Sequence, residues 1–393
     1  MAESKLPKTL GEWASSATRR AVIDSSIHDH PQQSGSKMEE PQFLLLRAVW
    51  PASREAFAFK EDCKSKGWID SQNLSRASSH LNKLEAWNRY IGSLGQPRER
   101  IMGGTFALVH YYQRLSTLPN KKPSGTAFSK VDFSPRVTRS QARRNLPQRP
   151  ETPTRAPRAG PDVPDAMDSV MDLLGDLNLD PDATNYSSGS SPLSTLSGHS
   201  PASGENAKNV QTEDEQIVNT ALILLLNALT LHCDLVQGEW SLYRQPFVVR
   251  KANDKVYEAR VDGLLRINQK NTRAIIEVKP FIRNASPETL DGIRMQETAQ
   301  MAAWIAQDPP SLTGPASNRF TRLLVSQDHG EIYLIIASFN AEYVEYICAR
   351  SVRRATKDSF LEMNEYGPFF VKDSKHMKQL GTILLAVSIQ DGL

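Results

Sequence analysis

The chain has 393 residues, 24 of them proline, with 39% hydrophobic residues and a formal net charge of +3. That length accommodates two or three domains of ~100–200 residues each, and the modest apolar content with unevenly spread prolines points to folded parts joined by a polar segment. Cys63, Cys233 and Cys348 are widely spaced and odd in number, which speaks against a disulfide framework, and no Cys/His set has the spacing of zinc ligands.

Met1 to Trp13 lacks the apolar core of a signal peptide. The longest apolar run, Ala221 to Leu226, is far shorter than the ~20 residues a spanning helix needs. The expectation is a soluble intracellular protein with no membrane partner, the nucleus being a compatible location.

Residues 1–37 are polar and are expected to be disordered. Residues 38–118 read as a separate small helical domain. Its best helix starts after Ser71 and carries Leu74, Leu81, Leu84, Ile91 and Leu94 near helical spacing, with Gly95 as the stop. Pro97 opens a second helix whose buried stripe is predicted as Ile101, Leu108, Tyr111 and Leu115. Trp50, Trp68 and Trp87 read as core, and no chemical motif occurs in this region.

Residues 119–211 read as a disordered linker, because Pro, Ser, Thr, Arg and Gly dominate and too few bulky apolar residues are present to offset the entropy of ordering. Its first half is basic, from Lys121 to Arg158, and its second is acidic, from Asp162 to Asp182. The basic half suits phosphate contacts or nuclear import, or it is a solvated tail neutralised by its neighbour. Met167, Val170, Met171, Leu174 and Leu177 in the acidic half could form an amphipathic helix for a protein partner.

From Thr212 the pattern becomes α-β-β-β-α-β-β-α-α. The helices are expected at Thr212 to Leu231, Pro287 to Ala306, Ala341 to Arg350 and from Ser374 to the end. The strands are expected at Tyr243 to Arg250, Val256 to Ile267, Arg273 to Lys279, Arg322 to Gln327 and Glu331 to Phe339, with His329-Gly330 as a turn. This alternation predicts an α/β (α+β) core, a central mixed sheet flanked by helices.

Strand alternation places the polar groups. Glu258, Arg260 and Asp262 are expected on one face of one strand, and Glu277 and Lys279 on one face of the next, with Val278 pointing away. A buried strand that is apolar until it presents a carboxylate and an amine together has no packing reason to do so. If the strands are neighbours, Asp262 and Glu277 converge. Two carboxylates and a backbone carbonyl, that of Val278, are hard oxygen ligands for Mg²⁺ or Mn²⁺. Lys279 could then orient or deprotonate a water, or neutralise charge on a phosphate. The bland alternative is a salt bridge between two strands.

Asp262-Gly263, then Ile275-Ile276-Glu277-Val278-Lys279-Pro280, then the helix Arg294-Met295-Gln296-Glu297-Thr298-Ala299-Gln300-Met301-Ala302-Ala303-Trp304 resembles the PD-(D/E)xK nuclease-like domain common in filamentous fungi. Tyr366-Gly367-Pro368-Phe369 and His376-Met377-Lys378-Gln379-Leu380 are also similar to that family. The resemblance covers residues 212–393 and implies a restriction-endonuclease-like core in which Asp262, Glu277 and Lys279 are the metal and catalytic residues. Gln296 and Gln300 resemble the QxxxY element of RecB-like nucleases, with Trp304 where that element has tyrosine. Glu215 matches the glutamate such nucleases often carry on their first helix, although Thr212-Glu213-Asp214-Glu215 also reads as a capping box. The implied activity is metal-dependent hydrolysis of nucleic acid, DNA in the first instance, by an endonuclease-like domain. The alternative is a catalytically silent scaffold that keeps the fold to bind nucleic acid or protein.

Overall fold

A computed structural model of the chain describes residues 3–29, 33–96, 103–119, 211–312, 319–349, 359–390 and 392. Both charged halves of the proposed linker lie outside these residues.

A seven-stranded mixed sheet organises the described residues. Its order is β1 (Ala48–Val49), β9 (Leu361–Phe370), β8 (Glu331–Phe339), β7 (Phe320–Asp328), β6 (Asn271–Lys279), β5 (Gly263–Ile267) and β2 (Glu239–Ser241). β6 and β7 run parallel, as do β1 and β9, and the other pairs are antiparallel. A hairpin of β3 (Pro246–Lys251) and β4 (Asp254–Arg260) stands apart from this sheet.

Both faces of the sheet are covered, which is why its central strands are almost continuously apolar. One face carries α4 (Ser71–Lys83), α5 (Glu85–Ser93), α6 (Ala107–Ser116), α7 (Glu215–Thr230) and α10 (Ser374–Ile389), with Trp87, Leu226, Ile276, Val278 and Leu384 in a single core. The other carries α1 (Leu10–Arg19), α2 (Glu40–Leu45), α8 (Pro287–Gln307), α9 (Ala341–Ile347) and the hairpin, with Trp13, Phe43, Trp50, Ala302 and Trp304 in the second core. A further helix, α3 (Ala58–Lys66), precedes α4.

Two expectations about domain boundaries are corrected first. Residues before 37 are structured in part: Thr9 caps α1 through its side chain, and Trp13 is buried and donates its indole N–H to the Leu44 carbonyl at 2.9 Å. Residues 38–118 are no separate domain. They fall in one compact unit with the C-terminal half, adding β1 to the sheet edge and burying Trp87, Tyr90 and Val109 in the core of α7 and α10. The small helices cannot close a core alone, so their apolar faces pack onto the sheet domain.

The helix predicted from Ser71 to Leu94 is two helices, broken at the extended Leu84, and Gly95 does stop the second with a left-handed φ of 73°. The stripe predicted on α6 is misplaced. Leu108 and Tyr111 are exposed, and Val109, His110, Gln113 and Ser116 are buried, because Gln113 accepts a hydrogen bond from the Tyr90 hydroxyl at 2.6 Å and that pair can be buried. Pro97 and Ile101 lie outside the described residues. Trp50, Trp68 and Trp87 are core as expected.

The strand expected at Val256 to Ile267 is two strands in different sheets. The backbone of Val261 donates to Gln245 and that of Asp262 to Ile276, so the chain changes partner between these two residues. Asp262 therefore shares no continuous strand face with Glu258 and Arg260. Gly263 permits the change: a Cβ there would lie 2.7 Å from the Ser241 carbonyl oxygen and 3.2 Å from the Ile276 side chain. β2 and β9 have no counterpart among the expected strands, and β9 contains the Tyr366-Gly367-Pro368-Phe369 stretch.

Candidate active site

Glu277 and Lys279 leave β6 near its C-terminal end on the face covered by α8. Ile276 and Val278 enter the opposite core. β5 is antiparallel to β6, with Gly263 opposite Ile276, which sets Asp262 beside Glu277. The Oδ2 of Asp262 accepts the Val278 backbone N–H at 3.1 Å, and its backbone carbonyl accepts from the Asn219 amide at 3.1 Å. Asp262, Glu277 and Lys279 are all buried, with 1–2% of their surface exposed. The three expected residues thus form one cluster.

Lys279 Nζ lies 2.5 Å from Glu277 Oε1. Gln296 Nε2 donates to that same oxygen at 2.5 Å, and Gln300 Nε2 to Oε2 at 2.5 Å. Gln300 also donates to the Arg260 carbonyl at 2.7 Å, tying the end of β4 to the site. α8 delivers both amides because Ser286 caps it, accepting the Thr289 N–H, Pro287 starts it, and positions 296 and 300 recur one turn apart on the face toward β6. Trp304, the next residue on that face, does not reach the site. It is buried against Phe247 and lies under the Arg322 guanidinium.

Glu215 belongs to this site and not to a Thr212 capping box. The residue that caps α7 is Asp214, which accepts the Gln216 N–H at 2.8 Å, while Thr212 donates its hydroxyl to the Ser116 carbonyl. Glu215 is thereby the first helical residue, and its charge is felt by Lys279 and Asp262.

The electrostatics follow from burial. Desolvation, then repulsion from Asp262, pushes the Glu277 carboxyl upward, against the pull of the Lys279 ammonium and the Gln300 amide. Burial raises Glu215 as well. Burial alone would lower Lys279, but the charges of Glu277, Glu215 and Asp262 outweigh it and hold the amine protonated.

Sequence reasoning passes over two residues. Arg244, in the turn between β2 and β3, is 50% exposed in its side chain and pairs with Asp262 Oδ1 at 2.9 Å. Asn219 sits one helical turn beyond Glu215, so helical spacing from that residue would have singled it out. Its Oδ1 is buried with no partner among the described residues.

Among the described residues no group of three or more His, Cys, Asp or Glu side chains is arranged as a ready metal cage. The donor chemistry here is of another kind: two buried, mutually repelling carboxylates, one on β6 and one just before the neighbouring β5. A small hard cation needs only one or two carboxylates, completing its shell with carbonyl, water and phosphate oxygens, so the residues present fit such an ion. Comparison of the chain with models of known families, with curated proteins and with solved structures gave no match. No helix among the described residues is long and apolar enough to cross a membrane.

Proposed function

We propose that the protein is a metal-dependent phosphodiesterase of nucleic acid, a PD-(D/E)xK-type nuclease with DNA as the substrate class. What supports this reading is the burial of Asp262, Glu277 and Lys279 together at the edge of two strands, with Glu277 gripped by two glutamine amides. A core salt bridge between strands requires neither the second carboxylate nor the glutamines, and burying unmatched carboxylates is costly.

Asp262, Glu277 and the Val278 carbonyl would hold Mg²⁺ or Mn²⁺. When bound, such an ion lowers the pKa of a water and stabilises charge developing on the phosphate. Lys279, kept protonated by three carboxylates, is suited to neutralise that charge rather than to remove a proton. Glu215, whose carboxyl is raised by burial, would serve as the proton acceptor. Gln296 and Gln300 hold the Glu277 carboxylate in one rotamer.

The test is cleavage of single- and double-stranded DNA and RNA with Mg²⁺ or Mn²⁺, run on the full chain because residues 38–119 complete the core of the catalytic half. Divalent cation should raise the melting temperature and support cleavage. Glu277→Gln should abolish the thermal response and lower cleavage about 100-fold or more. A wild-type protein whose melting temperature ignores millimolar cation and which cuts none of the four substrates would refute the proposal.

A further inference from the structure

A groove of about 710 Å³ runs between α3, α4 and the first half of α10, away from Glu277. Lys60 and Lys64 stand on one side, one turn apart on α3, and Lys375 and Lys378 on the other, on α10. Ser71, Ser75, Ser78 and Ser79 of α4 add a row of hydroxyls, and Leu74 and Ile383 form an apolar floor. Among the described residues no Asp or Glu lines it. None of the four lysines has an ion pair among the described residues, whereas Lys66 on the same α3 is paired with Asp62. The nearest acid on α10, Asp373, is turned to its own helix end and accepts the N–H groups of Lys375 and His376.

One end of the groove is aromatic. Phe57 is 50% exposed and Phe370 43% exposed, and both contact His376, with ring centroids 5.0 and 5.5 Å away. Two phenylalanines left in water beside unpaired lysines form a surface on which planar bases stack while the cations hold the backbone.

Pairing relates this ledge to the site. Lys279 is opposite Asp328, Asp328 opposite Glu331, and Glu331 opposite Phe370. Lys279 and Phe370 are thus on one row of the sheet, three strand spacings or about 14 Å apart. That distance is a few nucleotides of stacked strand.

We propose that this groove and its aromatic ledge bind single-stranded nucleic acid, the lysines and serines taking the phosphates and Phe57 a base. The inference deepens the nuclease reading by assigning a strand-holding surface, but strand binding here needs no divalent cation. The charge complementarity is with a polyanion, and the exposed rings favour a base-bearing one over an acidic peptide.

The experiment measures binding of the full chain to fluorescein-labelled dT20 by anisotropy, in EDTA and over a range of salt. Changing Lys60, Lys64, Lys375 and Lys378 together to Gln should weaken binding at least 10-fold. It should also flatten the log–log salt slope by about 2–3, at roughly 0.7 per phosphate contact on a single strand. All four side chains are exposed, so the melting temperature should stay as in the wild type. Phe57→Ala should weaken dT20 roughly five-fold or more and leave an abasic oligomer of equal length unaffected. The proposal falls if wild type fails to bind dT20, or if the quadruple variant binds with unchanged affinity and slope. It also falls if that variant keeps dT20 but loses a poly-glutamate peptide, the mark of an acidic protein partner. Retained dT20 binding with no metal-dependent cleavage would overturn the catalytic reading and leave this one standing.

Discussion

Two buried charge clusters lie side by side under α8, and they differ in one respect. The first holds three carboxylates, Glu215, Asp262 and Glu277, against Lys279 and Arg244. The second holds Asp328, Glu297 and Glu365 against Arg283 and Arg294. Lys279 and Asp328 are register partners, so the clusters meet. The formal balance is the same in each. In the second, however, both guanidiniums are sealed: Arg283 is wholly buried, forks to all three carboxylates and Ser326, and lies 3.9 Å from the Tyr333 ring, while Arg294 is only 7% exposed in its side chain. In the first, one of the two cations, Arg244, is half in water. Under the proposed function the first cluster is the one that can give up a cation to a metal ion, while the second is built as a strut.

Removing the sealed cation is the strongest way to break this comparison. Arg283→Met would strand Asp328 and Glu297 in the core and leave Glu365 to Arg294 alone, a change that costs about 3–5 kcal/mol when a buried pair loses one partner. Urea unfolding should show this loss, or no folded protein at all. A variant within ~1 kcal/mol of wild type would mean that the second cluster is no strut.

The next effect concerns pH. Burial drives the Glu297 carboxyl up to about 7 despite Arg283, whereas Arg283 and Arg294 overcome burial at Glu365 and bring it down to about 2. Above its unfolded value of 4.5, Glu297 keeps a proton in the folded state that the unfolded chain has released. Its contribution is therefore largest below 4.5 and is lost as pH rises to about 7. Glu365 acts oppositely, contributing above 4.5 and losing that contribution as pH falls toward 2. Stability should fall between pH 4.5 and 7 by something of order 3 kcal/mol, since each tenfold change in proton affinity between the two states is worth about 1.36 kcal/mol. Glu297→Gln should flatten that limb in denaturation curves taken across the range, and an unaltered limb would assign it to other groups.

The smallest effect sharpens the contrast from the other side. Arg244→Gln removes a half-exposed partner, so global stability should change by no more than about 1 kcal/mol. Without that competing cation, less Mg²⁺ or Mn²⁺ should be needed to raise the melting temperature. A large loss of stability, or a requirement for more metal, would make Arg244 structural.

Only part of this is readable without the fold. Ala274 to Lys279 alternates strictly enough that Glu277 and Lys279 have to share a face, and Gln296 and Gln300 recur one turn apart, so each half of the site is visible as a local period. Alternation brings Asp262 toward Glu277 but on a mistaken strand, because Tyr257, Ala259 and Val261 keep alternating up to the break and the change of partner at Asp262 leaves no mark in that pattern. Glu215 is ambiguous for a similar reason, since a carboxylate in the first turn of a helix has a local use as well as a distant one.

The sequence by itself determined the alternation of strands and helices, the apolar faces of β6 and β7, and the identity of the carboxylates and lysine that chemistry would need. These depend on neighbours within a turn or two of chain, where spacing dictates which side chains meet. Only the tertiary structure decided that the N-terminal helices close the core of the C-terminal half, that β1 pairs with β9, and that Arg283 gathers Asp328, Glu297 and Glu365 from three separate elements. Pairing at a sheet edge is read from unfilled hydrogen bonds, and a buried arginine from the carboxylates that surround it. Neither leaves a periodic trace, because the partners are distant along the chain and each is chosen only once the rest has folded.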